Sequence, residues 1–222
     1  MPDKDRKIRI VQEPSGLYYP NRIARAFFLA MDDVMGPNGL SSLLSLARME
    51  AYLNYPPPDD LKRQFDFVAI AAMNQALEEM YGVRGGRGMA LRIGQSAFAR
   101  GLKSFGAMRA VAHPAYRNLP LPRRIDYGLR GLAAILSNFS DQTSHVENTG
   151  DALLFISDVS PFSWRRKADK PVCHMMGGII LECLRWSSNG YEFYVREVEC
   201  RAAGHEHCMF RINKSAIGER LG

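Results

Sequence analysis

No apolar run among the 222 residues reaches the roughly 18 that a membrane-spanning helix needs. The first residues, MPDKDRKIRIVQ, are charged and lack the apolar core of an export signal. Together these absences lead to the expectation of a cytoplasmic protein. Cysteine is scarce, with four residues and no Cys-x-x-Cys pair. In a cytosolic chain such thiols are expected to be reduced, which favours buried, reactive or metal-binding roles over disulfides. Internal repeats and low-complexity segments are also missing. A composition 46% hydrophobic and 23% charged is that of a folded chain. The length supplies material for a real core, and one domain over 1–222 is expected.

Several enzyme signatures are absent as well. There is no nucleophile elbow and no nicotinamide or flavin fingerprint. The stretch GVRGGRGMALRIG (82–94) has the glycines and arginines that attract phosphate at a helix start. It follows no strand and holds no Gly-Lys-Ser/Thr, so Rossmann and P-loop readings fail, and a corner between two helices is favoured. His145 lies between Asp141 and Glu147 in sequence, which makes an acid–base pair only by accident of folding. A haem ligand would need a proximal histidine on a helix, and His113, before Pro114, does not suggest one. The net charge is +6, but the basic residues are scattered, with the densest groups at 123–130 and 163–170. Neither group carries a nucleic-acid-binding motif, so no nucleic-acid partner is expected. A basic rim suits a carboxylate-bearing ligand or a membrane surface equally.

What is present is a helical first part and a mixed last third. IRIVQ (8–12) reads as extended. Apolar residues at helical spacing predict helices over 21–35, 39–53, 66–82, 89–106 and 125–141. GPNG, the prolines of NYPPPDD, and LPLPRR interrupt them. Gly94 and Gly101 are seven apart and either admit a neighbouring backbone or are tolerated defects. Beyond residue 150, DALLFISDV (151–159) reads as a strand, 172–186 as an apolar helix, and 191–200 with 208–214 as a hairpin. The expected fold class is α+β: a helical N-terminal part packed on a small antiparallel sheet with one helix inserted.

The hairpin concentrates the chemistry. Cys200 and Cys208 flank the loop RAAGHEH, and Glu197 stands three residues before Cys200. Cys173 opens the preceding helix. Three thiolates and a carboxylate suit tetrahedral zinc, and a closed set of four is structural rather than catalytic. His174, His205 or His207 would serve in place of the glutamate. Spacing alone leaves two other readings open, small buried hydrophobes or a redox pair of Cys200 and Cys208. Cys183, among Ile and Leu, reads as core. Phe98, Phe105, Phe139, Phe155 and Trp164 lie on elements near the helix–sheet junction; of these, Phe155 and Trp164 are the candidate ligand neighbours.

Taken together, CHMMGG (173–178), EVEC (197–200) and RAAGHEHCMFRI (201–212) resemble the signature of the 4-vinyl reductase domain family. The matching positions are Cys173, Gly177, Glu197, Cys200, Gly204, Cys208 and Phe210, within a signature region of about 150–213. The family is named for a bacteriochlorophyll-pathway protein linked to reduction of a tetrapyrrole vinyl group. It includes sensor domains of aromatic-responsive regulators and shares its fold with TRAPP subunits and haem-based nitric-oxide sensors. The resemblance implies zinc on Cys173, Glu197, Cys200 and Cys208, and a homodimer. It also implies a hydrophobic or aromatic small-molecule ligand, with a role as sensor or carrier. Two alternatives follow from the same family: a non-autonomous component of tetrapyrrole vinyl reduction, or a TRAPP-like assembly module. Vinyl reduction needs hydride from a cofactor, and no cofactor motif is present, which argues against a self-contained reductase. The regulators' ATPase and DNA-binding regions are not seen, so a free-standing domain is expected.

Overall fold

The structure is a computed structural model and describes residues 13–105, 108 and 113–218. The extended reading of 8–12 lies outside the described residues. Two short strands open the fold. β1 (Tyr18–Pro20) pairs antiparallel with β2 (Arg63–Asp66). Neither was legible in the sequence: each is three or four residues long, and one ends in proline.

α1 (Asn21–Leu46) is broken at Gly36, whose φ of 71° is the left-handed region that glycine tolerates. The GPNG stop therefore appears as a kink, and the second predicted helix runs on from it. That helix stops at Leu46, and a separate short turn of helix, α2 (Ala51–Asn54), follows. α3 (Phe67–Arg100) is capped by Asp66, whose carboxylate accepts from the Val68 N–H at 2.8 Å. It breaks at Gly82, with φ 69° and ψ 168°, the corner expected between two helices.

A short helix α4 (Pro114–Arg117) precedes α5 (Leu121–Phe139). On α5 the buried residues Ile125, Leu129, Leu132, Ala133 and Leu136 recur at three- and four-residue steps and face the core. Burying each large one is worth about 1.5–3 kcal/mol.

The last part is a four-stranded antiparallel sheet in the order β3-β4-β6-β5. Its strands are β3 (Thr143–Asn148), β4 (Ala152–Val159), β5 (Glu192–Glu199) and β6 (Cys208–Ile217). α6 (His174–Ser188) is inserted between β4 and β5. β3 escaped the sequence reading because its inward residues are Ser144 and Val146, too polar to alternate visibly. His145, read as a loop residue, is on this strand.

The sheet's inner face and the second half of α3 enclose α6. A Cβ at Gly94 would stand 2.0 Å from the Met175 carbonyl oxygen, and one at Gly178 would stand 2.1 Å from that of Leu91. The two helices thus touch backbone to backbone, and only glycine fits. Gly101 does not share that face: its Cβ would meet the Ala26 Cβ on α1 at 2.5 Å. Among the described residues no helix is long and apolar enough to cross a membrane.

Candidate metal centre and its surroundings

Four predicted residues converge. One ligand atom from each of Cys173, Glu197, Cys200 and Cys208 lies within 4.8 Å of all the others. Cys173 is the N-cap of α6, Glu197 is near the end of β5, Cys200 follows that strand, and Cys208 begins β6. The turn 201–204 closes on Gly204, whose φ is 94°.

A spacing of three along a regular strand would put Glu197 and Cys200 on opposite faces. A bulge removes that conflict. Glu197 pairs with Phe210 and Glu199 with Met209, so two steps on β5 oppose one on β6. The shift turns the carboxylate and the thiol to the same side.

The Sγ of Cys173 is 3.8 Å from that of Cys200 and 3.6 Å from that of Cys208. A disulfide needs about 2.05 Å. Two sulfurs on a tetrahedral zinc, each about 2.3 Å from the ion, stand about 3.8 Å apart. The cysteines are free and buried. The Cys173 N–H donates to Glu197 Oε2 at 2.9 Å, while Oε1 is buried with no partner among the described residues. An acceptor left bare inside a protein calls for a cation or donor. The Cys208 sulfur receives the Arg201 N–H at 3.4 Å and lies 3.2 Å from Ser163 Oγ.

Electrostatics agree with this donor set. Burial raises Glu197 to about 8, and the nearby Cys200 adds to the rise. Burial also pushes the Cys173 thiol well up, with Cys200 and Cys208 adding to it. Cys208 is held far down because Cys173 and Cys200 hydrogen-bond to its sulfur. Without a counter-cation the pocket stabilises one thiolate and keeps its neighbours protonated. A divalent ion would let all four ionise.

The three histidines offered as substitutes for Glu197 lie elsewhere. His205 Nδ1 meets the Cys200 backbone. His207 Nε2 is 3.0 Å from Glu199 Oε2, within ion-pair reach but not aligned as a hydrogen bond. His174 is pushed down to about 4 by burial first and Arg87 second. Cys183 is core, its thiol 3.5 Å from the Gly128 carbonyl. His145 lies 3.7 Å from Glu147 and 3.6 Å from Asp158, with His145 and Glu147 exposed and Asp158 half-buried. Asp141 is not part of that group; it receives the Tyr18 N–H and pairs with Arg63. His113 caps α4 by accepting from the Ala115 N–H.

Phe155 is fully buried on β4, opposite Val146 and Phe210. Trp164 follows the helical turn Pro161–Ser163 and stands edge-on to Phe67 at 6.2 Å. Its indole N–H is buried with no acceptor among the described residues. Sequence reasoning missed Ser163, which lies ten residues before Cys173, and no local pattern marks it.

Residues 160–214 match the family model of the vinyl-4-reductase domain. That stretch contains all four clustered ligands and the turn from Phe162 to Trp164. No curated protein matches the chain. Among solved structures, the chain is similar to the Fe(II) unliganded H-NOX protein from K. algicida, at 14% identity and TM-score 0.54, covering 90% of this chain and 97% of that one. It is similar also to the Fe(II)NO H-NOX protein from S. oneidensis, at 11% identity and TM-score 0.51, covering 87% and 99%. These two likenesses show a shared fold. The phenol-responsive sensory domain of the transcription activator PoxR is similar at 20% identity and TM-score 0.49, covering 78% and 88%.

Proposed function

We propose that the protein binds a small, largely apolar molecule carrying one hydrogen-bond acceptor, and that a structural zinc braces the binding region. Cys173, Glu197, Cys200 and Cys208 would hold the ion. When bound, zinc supplies a divalent charge that neutralises the thiolates and ties β5, β6 and α6 together. Four protein ligands leave no open position, which favours a structural role over catalysis.

The observation that carries the ligand reading is the turn 161–164. Phe162 packs edge-on to Phe27 at 6.0 Å, Ser163 touches the Cys208 sulfur at 3.2 Å, and Trp164 leaves a buried indole N–H unused. An unsatisfied buried donor costs about 1–3 kcal/mol. A phenolic or carbonyl oxygen at that point would recover it, with aromatic walls already in place. Because the same turn contacts the metal ligand, ligand occupancy and the metal region would be mechanically linked. That suits a sensor.

Phenol is the simplest probe, an apolar ring with one oxygen. Native mass spectrometry is expected to give one zinc per chain. Calorimetry with phenol is expected to give saturable binding that weakens about tenfold in Trp164→Phe, the loss of roughly 1.4 kcal/mol. The variant should keep its zinc. A protein without zinc would overturn the metal assignment, and phenol binding unchanged by Trp164→Phe would overturn the ligand site.

A further inference from the structure

Neither reading above uses the glycine- and arginine-rich stretch 82–94. The structure turns it into a corner. Beyond the break at Gly82 the helical segment 83–100 doubles back. Gly86 makes the close approach possible: a Cβ there would lie 2.8 Å from the Cα of Glu78 and 2.8 Å from the carbonyl oxygen of Leu77.

A loop from the other end of the chain enters this corner. Arg166 Nη2 bonds Glu78 Oε2 at 2.7 Å. The arginine side chain is only 10% exposed, yet its second arm, Nη1, is buried with no partner among the described residues. Arg87, on the doubled-back segment, acts together with Arg166 and Glu78 on the imidazole of His174. Two guanidiniums thus face one carboxylate, and one positive charge is left over. The N-terminal end of the 83–100 segment adds the positive pole of its dipole. A buried charged donor left unmade is more costly than a neutral one.

We propose that this corner binds a small oxyanion, a phosphate or a carboxylate group, held by Nη1 of Arg166 and by Arg87 at the start of the 83–100 segment. Glu78 occupies one arm of the guanidinium and the oxyanion takes the other. The site is separate from the one assigned to the apolar ligand. Trp164 packs on Phe67, eleven residues before Glu78. At about 1.5 Å per residue that is roughly 16 Å along the helix.

The test is calorimetric titration of the zinc-loaded full chain with inorganic phosphate and, separately, with acetate, at constant ionic strength set by chloride. One-to-one binding of at least one anion is expected. Arg87→Gln, at an exposed position, is expected to weaken it at least tenfold without moving the melting curve. Glu78→Gln, which frees Arg166 of its competing carboxylate, is expected to tighten it. Binding by phosphate alone assigns a phosphate group, and binding by acetate alone assigns a carboxylate. No heat from either anion would overturn the proposal, and so would equal affinity in the wild type and Arg87→Gln. Arg166→Lys keeps the charge but loses the two-armed geometry, and should also lose binding. The result is independent of whether phenol binds near Trp164.

Discussion

The backbone N–H of Cys173 donates to Oε2 of Glu197 at 2.9 Å, across the gap between the start of α6 and the end of β5. This bond fixes one carboxylate oxygen and leaves the other without a protein partner, beside the three sulfurs. It also ties a helix N-terminus to a strand, which is the mechanical role expected of the metal itself.

Removing one sulfur tests the coupling of metal and fold. Cys200→Ser is expected to lose zinc and stability together, because assembly of the site is part of folding. Zinc at about a thousand times its Kd contributes ~4 kcal/mol. For a chain of this size that is roughly 8–16 °C in Tm. Metal analysis and thermal melts of the two proteins check it. Equal zinc and equal melting would remove the assignment.

The pH dependence has opposite signs with and without metal. In zinc-free protein the folded state holds Glu197 at about 8, above its ordinary 4.5. A raised acid favours folding when protonated, so its contribution is complete below 4.5 and is lost as pH rises toward 8. Cys208, held down in the fold, works the other way. The clean readout is therefore a difference. The stability of zinc-free wild type minus that of zinc-free Glu197→Gln should fall as pH rises from 4.5 to 8. With zinc bound, the ligands must be deprotonated, and acidification should release the metal and destabilise the fold. Urea denaturation across that range, with and without zinc, measures both.

Ser163 is expected to tune the metal rather than bind it. Its hydroxyl lies 3.2 Å from the Cys208 sulfur. Partners of this kind typically alter metal affinity by about 10–100-fold. Ser163→Ala should weaken zinc by at least about tenfold in competition with a chelator, with secondary structure intact. An unchanged affinity would make the contact incidental.

Two glycines of α3 should respond oppositely to alanine. At Gly94 the added methyl would meet the Met175 carbonyl at 2.0 Å, so the helices must separate. Overpacking of this kind costs about 1–3 kcal/mol. At Gly88 nothing lies within 4 Å of the added carbon, and alanine there should stabilise. The gain should be about 0.4–1 kcal/mol, from reduced freedom of the unfolded chain. Denaturant midpoints of the two variants distinguish packing from propensity.

By itself, the sequence determined what depends on local period and on residue chemistry. The apolar steps of Ile125, Leu129, Leu132 and Leu136 forced a helix, and the alternation after Tyr191 forced a strand. Thiols at Cys173, Cys200 and Cys208 with Glu197 named the donor set before any coordinate was known. Tertiary structure decided whatever depends on residues far apart in the chain. The bulge that turns Glu197 toward Cys200 exists only because β6 supplies one residue against two. Ser163 reaches Cys208 across 45 positions, and Arg166 reaches Glu78 across 88. β1 and β2 hold together across the two segments of α1, and neither is long enough to announce itself. Gly94 reads as an ambiguous defect until Met175 is seen against it. Periodicity encodes which face of an element is buried. It carries no information about which other element covers that face, because that is settled by the packing of the whole chain.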